Sequence, residues 1–291
     1  MYRTFGILEN TWFKNTIRFP IKLGKSYLIH KLYEGDEWFK EPIRKWEQNL
    51  NNSVGRYPYI IQVKNQRQIV DRSIYYGSLK NLALLIRFSS YNRTNLAHGI
   101  DFNNTKIQGW ISYTDSSLPS YFRNGPEELN PIEILRVKKN IRRIKFILNR
   151  RRNVRLWRSI HFWDRSSCSD NFERNVMELF IALESLFTTD RNEITYQLAN
   201  RMSWLIENQS YRKRRELFDK IKAGYNIRSQ VVHGKKFVES TSLPLLRELH
   251  AQARLVLIKI LENKKLMNVY VSNDDRLFNR FFYDLVAGHR Y

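Results

Sequence analysis

The sequence predicts an α+β protein, with a mixed or β-rich N-terminal region and a C-terminal bundle of helices. Short apolar runs that alternate with polar residues occur within residues 1–130, whereas apolar residues beyond residue 131 recur at three- and four-residue spacing, as on one helix face. Residues 116–131 are rich in Ser, Pro, Gly and Asn, which is typical of a linker. We therefore predict a mixed domain over 1–130, a helical domain over 131–265 and an aromatic helical extension over 266–291.

In the N-terminal region, alternating apolar residues predict strands over residues 26–33, 59–63 and 105–113. A helix is predicted within 36–50, and Pro42 restricts where it can begin. The apolar run 82–88 fits either a strand or a helix. Four tryptophans are predicted to be core residues, with base stacking as the alternative role: Trp12, Trp38, Trp46 and Trp110.

Beyond the linker, helical periodicity predicts a helix over 132–148 and another that begins at 154. Asp170 and Glu173 form a capping-box pattern. The helix that it starts carries an apolar stripe of Phe172, Val176, Phe180, Leu183 and Phe187. Further helices are predicted over 193–207, over 212–224 and from 225 to the motif described next, and a last long helix over 242–263, with Ser242 as its cap and Pro244 in its first turn.

The segment 225–234 holds an Arg and a His that are separated by four residues and followed at once by Gly. Gly234 is predicted to be the left-handed residue just past a helix end. His233 then lies in the last turn, where the helix dipole favours the imidazolium. Arg228 is suited to gripping a phosphate, and His233 to moving a proton near neutral pH.

The RxxxxHG pattern occurs twice, because Arg93 and His98-Gly99 repeat it. The spacing alone is a weak signal in a chain with this many Arg residues. Only the second copy follows a helix that carries Ala182-Leu183-Glu184. The first copy is therefore interpreted as coincidence or decay.

Around the second copy, the segments Ala182-Leu183-Glu184, Leu198-Ala199-Asn200-Arg201, Tyr225 with Arg228-Ser229, and His233-Gly234 resemble the Apea-like branch of the HEPN superfamily. The resemblance covers about residues 131–263, under half of the chain. It implies an antiparallel helical bundle that pairs as a homodimer, with two RxxxxH motifs facing one cleft. It also implies a metal-independent endoribonuclease, often a toxin or a phage-defence effector, although other members only bind RNA.

The resemblance places Arg228 and His233 as catalytic residues, and the possible supporting residues are Ser229, Glu184, Arg201 and Tyr225. Ser229 stands where many HEPN nucleases have an amide or an acid, so the role of this position stays open. Glu184 and Arg201 are interpreted as a buried ion pair between adjacent helices, with a place in the cleft beside His233 as the alternative. The alternative for His233 is a helix-end His that only satisfies backbone carbonyls.

Arg228 and His233 lie about 140° apart on an ideal helix, so their side chains do not share a face. They converge only if the Arg side chain reaches round the helix, or if the two residues meet across a dimer. Ser229 and His233, at positions i and i+4, do share a face.

The chain has a net charge of +22, which indicates a polyanionic partner, first of all RNA. The densest charge lies in residues 131–170, with 12 basic and 3 acidic side chains. The alternatives are a merely solvated face and a genome composition that favours Lys, Asn, Ile and Tyr. The predicted RNA-binding residues are Lys138, Lys139, Arg142, Arg143, Arg150, Arg151 and Arg152.

The remaining patterns limit location and cofactors. A single cysteine, Cys168, excludes a disulfide framework and is typical of a reducing, cytoplasmic environment. We see no signal peptide, no apolar run long enough for a membrane span, no metal-ligand spacing and no nucleotide-binding loop, so no metal or cofactor is expected.

The hypothesis is an endoribonuclease that leaves 2′,3′-cyclic phosphate ends, controlled by an antitoxin or by a phage-derived trigger. The alternative is a non-catalytic module that binds RNA or another protein.

Overall fold

The computed structural model divides the chain into two compact units, residues 1–117 with 124–145, and residues 146–291 with 118–123. The first unit contains a β-sheet and the second is helical, so the α+β class is confirmed. The described residues are 2–9, 12–23, 27–34, 37–49, 59–63, 79, 81–88, 95–103, 106–112, 128–149, 154–169, 171–190, 192–235 and 238–288.

The first unit is built on a six-stranded antiparallel sheet with the order β3-β4-β5-β1-β6-β7. A separate parallel pair joins β2 to β8. The strands are β1 (Tyr2–Glu9), β2 (Trp12–Phe13), β3 (Ile21–Leu23), β4 (Tyr27–Lys31), β5 (Tyr59–Val63), β6 (Asn95–Asn103), β7 (Lys106–Ser112) and β8 (Glu128–Leu129).

Helix α1 (Lys40–Asn49) supplies apolar residues to the same core as the strands. The rings of Phe5 and Phe39 lie 4.6 Å apart, and Phe5 meets Phe102 edge-on at 5.4 Å. Trp38 and Trp46 pack half-buried against this core, while the side chains of Trp12 and Trp110 are outside what the structure describes. The ambiguous run forms helix α2, residues 81–88, and most of it is buried.

Helix α3 (Pro131–Asn149) belongs to the first unit as far as Lys145, rather than to the helical domain predicted from residue 131. The reason lies at its start. β8 pairs with β2, and the Lys14 amide donates to the Leu129 carbonyl at 3.0 Å. Asn130 and Glu133 then cap the helix reciprocally, with bonds of 2.8 and 3.1 Å. The first turn of α3 is thereby tied to the strands.

The second unit contains seven helices among its described residues. They are α4 (Val154–Arg165), α5 (Phe172–Phe187), α6 (Ile194–Ile206), α7 (Tyr211–Val232), α8 (Glu239–Glu262), α9 (Lys264–Val271) and α10 (Asp275–Val286). Helix α5 is central, because it packs against α4, α6, α7 and α8. Its predicted apolar stripe is buried throughout. The aromatic extension forms two helices, and Phe282 of α10 meets Phe187 of α5 at 6.2 Å.

Two predicted helix starts are wrong. The cap of α5 is Asn171, whose side chain accepts from the Arg174 amide at 2.7 Å, while Asp170 lies outside the described residues. Helix α8 begins at Glu239, so Pro244 lies inside it. Ser242 is not its cap, because its hydroxyl donates to the Val238 carbonyl at 2.9 Å.

The two helices predicted over 212–224 and 225–233 are a single helix, α7, because Gly224 does not end a helix. A Cβ atom at Gly224 would lie 2.4 Å from Leu249 Cδ1 and 3.2 Å from Phe180 Cζ. This glycine therefore lets α7 approach α5 and α8 closely. The sequence alone could not separate this use of glycine from a helix stop.

Candidate functional site

The C-terminal end of α7 presents His233 to solvent. His233 is the C-cap residue, and Gly234 follows in the left-handed conformation at φ 61°. The Gly234 amide donates to Val231 at 3.2 Å and the Lys235 amide to Gln230 at 2.9 Å. These two bonds form a Schellman motif, which ends the helix sharply. The predicted left-handed glycine is confirmed, and the imidazole is left exposed at a defined helix end.

Arg228 points into the bundle, towards α5. Its Nη2 lies 3.5 Å from Glu184 Oε1, and the two side chains are 24% and 22% exposed. Its guanidinium also lies 5.4 Å from the centre of the Tyr225 ring, which meets Phe180 edge-on at 5.6 Å. The Tyr225 hydroxyl donates to Glu184. One carboxylate of α5 thus holds two side chains of α7.

Two acidic groups of this cluster, Glu184 and Tyr225, have raised pKa values. Burial raises the pKa of Glu184 above its usual value of 4.5, while Arg228, the Tyr225 hydrogen bond and Arg158 oppose that rise. Burial raises the pKa of Tyr225 as well, and the neighbouring Glu184 carboxylate adds to the rise. Perturbed acids in a half-buried cluster are typical of functional sites, and also of structural ion-pair networks.

Arg201 does not pair with Glu184, so the predicted ion pair is wrong. The Arg201 guanidinium donates instead to the Phe187 carbonyl and to the Asn279 side chain, both at 2.8 Å. It also faces the rings of Phe278 and Phe282 at 5.4 and 5.5 Å. Arg201 therefore fastens the end of α5 to α10.

Arg155 of α4 serves the same helix end. It donates to the Thr188 carbonyl at 2.6 Å and pairs with Asp275 at 2.5 Å. The contacts of Arg201 with α10 and the packing of α7 on α5 could not be predicted from the sequence, and together they leave Arg228 as the arginine that pairs with Glu184.

The two motif residues do not contact one another within the chain. Arg228 is fixed against α5, whereas the His233 ring has no hydrogen-bond or ion-pair partner in the part of the chain that the structure describes. Ser229 is half-buried and lies one turn before His233, and its carbonyl accepts from the His233 amide at 3.1 Å. The angle of about 140° expected between Arg228 and His233 on one helix agrees with this separation.

An open groove of about 440 Å³ lies beside Glu184. It is lined in part by Arg155, Arg158 and Asp275. Arg155 is neutralised by Asp275, but Arg158 is exposed and adds positive potential near Glu184. Sequence reasoning missed Arg155 and Arg158; their three-residue spacing on one helix face was the available signal.

The first RxxxxHG copy has a different backbone context. His98 lies in strand β6, where it is paired with Ile7 of β1 and Ser112 of β7, and Arg93 lies outside the described residues. His98 therefore lies within a strand, whereas His233 caps the end of a helix.

The predicted RNA-binding residues are described only in part. Lys138, Lys139 and Arg142 are exposed on α3, and Arg143 is half-buried. Arg150, Arg151 and Arg152 lie outside the described residues. The opposite face of α3 is buried through Ile134, Ile141, Ile144 and Ile147, whereas Leu135 is 62% exposed.

Comparison of the chain with models of known families, with curated proteins and with solved structures finds no match. No helix in the described ranges is long and apolar enough to cross a membrane. Those same ranges hold no group of three or more His, Cys, Asp or Glu side chains that could bind a metal ion.

Proposed function

We propose that the chain is a dimeric endoribonuclease of HEPN type that cuts RNA without a metal ion and leaves 2′,3′-cyclic phosphate ends. The observation that carries the proposal is the end of α7, where a Schellman motif presents an exposed His233 five residues after a positioned Arg228. A solvent-facing imidazole at a rigid helix end can approach a substrate without displacing a packed core.

In the proposed reaction, His233 accepts the proton of a ribose 2′-hydroxyl as general base. The 2′-oxygen then attacks the adjacent phosphorus, and the bond from phosphorus to the 5′-oxygen breaks. A second acid protonates the departing 5′-oxygen. The products are a 2′,3′-cyclic phosphate and a free 5′-hydroxyl, and Arg228 stabilises the negative charge that develops on the phosphoryl oxygens.

The second acid is proposed to be His233 of a partner subunit. Arg228 and His233 leave one helix in directions about 140° apart, so one chain does not enclose a phosphate with both groups. Two α7 ends that face each other across a two-fold axis would supply two imidazoles and two guanidinium groups to one cleft. In this arrangement Glu184 and Tyr225 position Arg228, and Ser229 lies on the face of His233.

The second candidate function is a non-catalytic module that binds RNA or a protein. The contact that favours it is the pairing of Arg228 with Glu184 within the same chain, because an Arg that is already neutralised serves the packing of α7 on α5. In either function, the exposed Lys138, Lys139 and Arg142 of α3 are proposed to contact RNA phosphates. An antitoxin or a phage-derived trigger is the proposed regulator.

Cleavage of a mixed RNA pool tests the proposal. We expect the wild-type chain and His98→Ala to cut it, with or without EDTA, and His233→Ala to be inactive. The second variant is Arg228→Lys, because Arg228→Ala would leave Glu184 without its cation. The lysine keeps the positive charge but loses the planar fork of donors. Thermal melting controls for folding. A folded His233→Ala chain that cuts RNA at the wild-type rate contradicts the mechanism.

A further inference from the structure

Helices α6 and α7 carry a surface of aromatic and basic side chains that has no part in the site described above. The contacts between them show that the two helices run antiparallel: Trp204, near the end of α6, meets Arg214, while Tyr196, near its start, meets Phe218. We call this surface the aromatic–basic stripe, and define it by Tyr196, Trp204, Tyr211, Arg214, Phe218 and Lys222.

Within the stripe, cations lie against aromatic rings. The Arg214 guanidinium is 3.6 Å from the centre of the Trp204 ring and 5.8 Å from that of Tyr211. Phe218 lies 5.7 Å from the Lys222 ammonium and meets the Tyr196 ring at 6.0 Å and 72°. These contacts hold rings and charges side by side on one surface.

The stripe remains open to a ligand. Tyr211 is 72% exposed and Tyr196 is 55% exposed, although each is a large ring. Exposed rings next to cations are what single-stranded nucleic acid requires, since bases stack on the rings and phosphates meet the charges. A packed helix pair needs neither ring at its surface.

Basic side chains outnumber acidic side chains in this region. Residues 211–222 hold six basic and two acidic side chains. Ion pairs engage Arg212 with Glu216 at 3.7 Å, Arg215 with Asp219 at 3.0 Å and Lys220 with Glu248 at 2.6 Å. In the described part of the chain, Arg214 and Lys222 of the stripe are in no such pair, although the Glu207 carboxylate interacts with Arg214 at longer range, so both cations can still meet a polyanion.

The stripe also leads towards His233. On an ideal helix, Tyr211, Phe218, Lys222 and Ser229 lie within about 20° of one line along α7, and His233 within about 40°. Lys222 and His233 are eleven residues apart, which corresponds to a rise of about 16 Å. A strand bound along the stripe therefore extends to the helix end that presents the imidazole.

We propose that the aromatic–basic stripe binds single-stranded RNA, by base stacking on Tyr196 and Tyr211 and phosphate contacts from Arg214 and Lys222, and directs the strand to His233. The inference rests on the proposed ribonuclease function only in that the bound strand is its substrate. The chain would then prefer unpaired RNA, because paired bases cannot leave their stack to reach the two rings without a cost in free energy.

Binding is measured apart from cleavage by using the full-length His233→Ala chain. Its affinity for a fluorescently labelled oligouridine and for a duplex RNA of the same length is followed by anisotropy. Adding Tyr196→Ala and Tyr211→Ala should raise the Kd for the single strand about fivefold or more for each ring removed, and leave the duplex Kd unchanged. Tyr283→Ala on α10, which removes a ring that is 75% exposed, is the matched control and should change neither.

The charges are tested by the salt dependence. Lys222→Gln should reduce the slope of log Kd against log salt by about 0.7, since each phosphate contact with a single strand contributes about 0.7. The exposed Lys264→Gln on α9 is the matched control and should leave the slope unchanged.

Oligouridine binding within twofold of the parent after loss of both tyrosines overturns the inference. So does an equal loss for duplex and single strand. The proposed function can fail separately. If the wild-type chain cuts no RNA but the stripe binds single-stranded RNA as expected, the ribonuclease proposal fails and this inference stands. Conversely, if the chain without both tyrosines still cuts RNA and binds it with unchanged affinity, the inference about the stripe fails and the ribonuclease proposal stands.

Discussion

Adding one methyl group at Gly224 should destabilise the bundle, although the same change at an exposed helix position stabilises it. Gly224 lies inside α7, and a Cβ atom there would lie 2.4 Å from Leu249 Cδ1. Normal contacts between carbon atoms are about 3.5–4.0 Å, so Leu249 must move by more than about 1 Å. Leu249 is fully buried, and its neighbours restrict that movement.

The magnitude follows from two opposing terms. Overpacking a core costs about 1–3 kcal/mol, and replacing Gly by Ala inside a helix contributes about 1 kcal/mol in the other direction. We therefore expect Gly224→Ala to lower the free energy of unfolding by about 1 kcal/mol. Ala223→Gly, at the exposed neighbouring position, measures the helix-propensity term in the same helix and should cost about 1 kcal/mol.

Urea unfolding followed by far-ultraviolet circular dichroism gives both values. The deciding comparison uses the Leu249→Ala background, where the cavity can accept the new methyl group, so Gly224→Ala should there become stabilising. A Gly224→Ala chain that is more stable than wild type refutes the argument that Gly224 serves helix packing. An equal destabilisation in both backgrounds refutes the assignment of the clash to Leu249.

Three further outcomes are expected. Because burial raises the pKa of Glu184, the folded chain binds more protons than the unfolded chain above pH 4.5, so stability should fall as the pH rises through the folded pKa. Urea midpoints measured against pH should show this fall in wild type and not in Glu184→Gln. The same pH dependence in both chains would contradict the expectation. Lys138→Gln with Arg142→Gln on α3 should lower the salt slope of RNA binding by about 1.4, and an unchanged slope would remove α3 from the RNA contact. Sedimentation should show a dimer at micromolar concentration, and a fully active monomer would contradict a site shared by two chains.

The periodicity of the sequence predicted most helices, because their buried faces are continuous. Phe172, Val176, Phe180, Leu183 and Phe187 all face the core from α5, and the strand over 59–63 is also confirmed. The predicted breaks were less reliable. Gly224 looked like a helix stop, and only the neighbouring Leu249 and Phe180 show that it is a contact point. These two contact residues are distant from Gly224 in the sequence, so the local sequence pattern could not reveal them.

For the candidate site, the sequence predicted the local geometry but not the partners. Gly234 after His233 was sufficient to predict the left-handed helix end, because the signal lies in adjacent residues. The partner of Glu184 was predicted as Arg201 and is Arg228. Both arginines lie within reach of α5, and the packing of α7 and α10 decides between them. The catalytic roles of Arg228 and His233 remain predictions.

The most direct test of the account is chemical rescue of RNA cleavage by imidazole. Because the proposed cleft holds His233 of both chains, His233→Ala removes the general base and the general acid together, so the cleavage rate should fall by at least about 10²–10⁴-fold, the usual contribution of one such group. His233 is exposed at a helix end, so its removal leaves open space in which added imidazole can bind. We expect imidazole to restore part of the rate to His233→Ala and not to Arg228→Lys, and the RNA ends to be 2′,3′-cyclic phosphates. Wild-type cleavage by folded His233→Ala without imidazole would contradict the proposed mechanism.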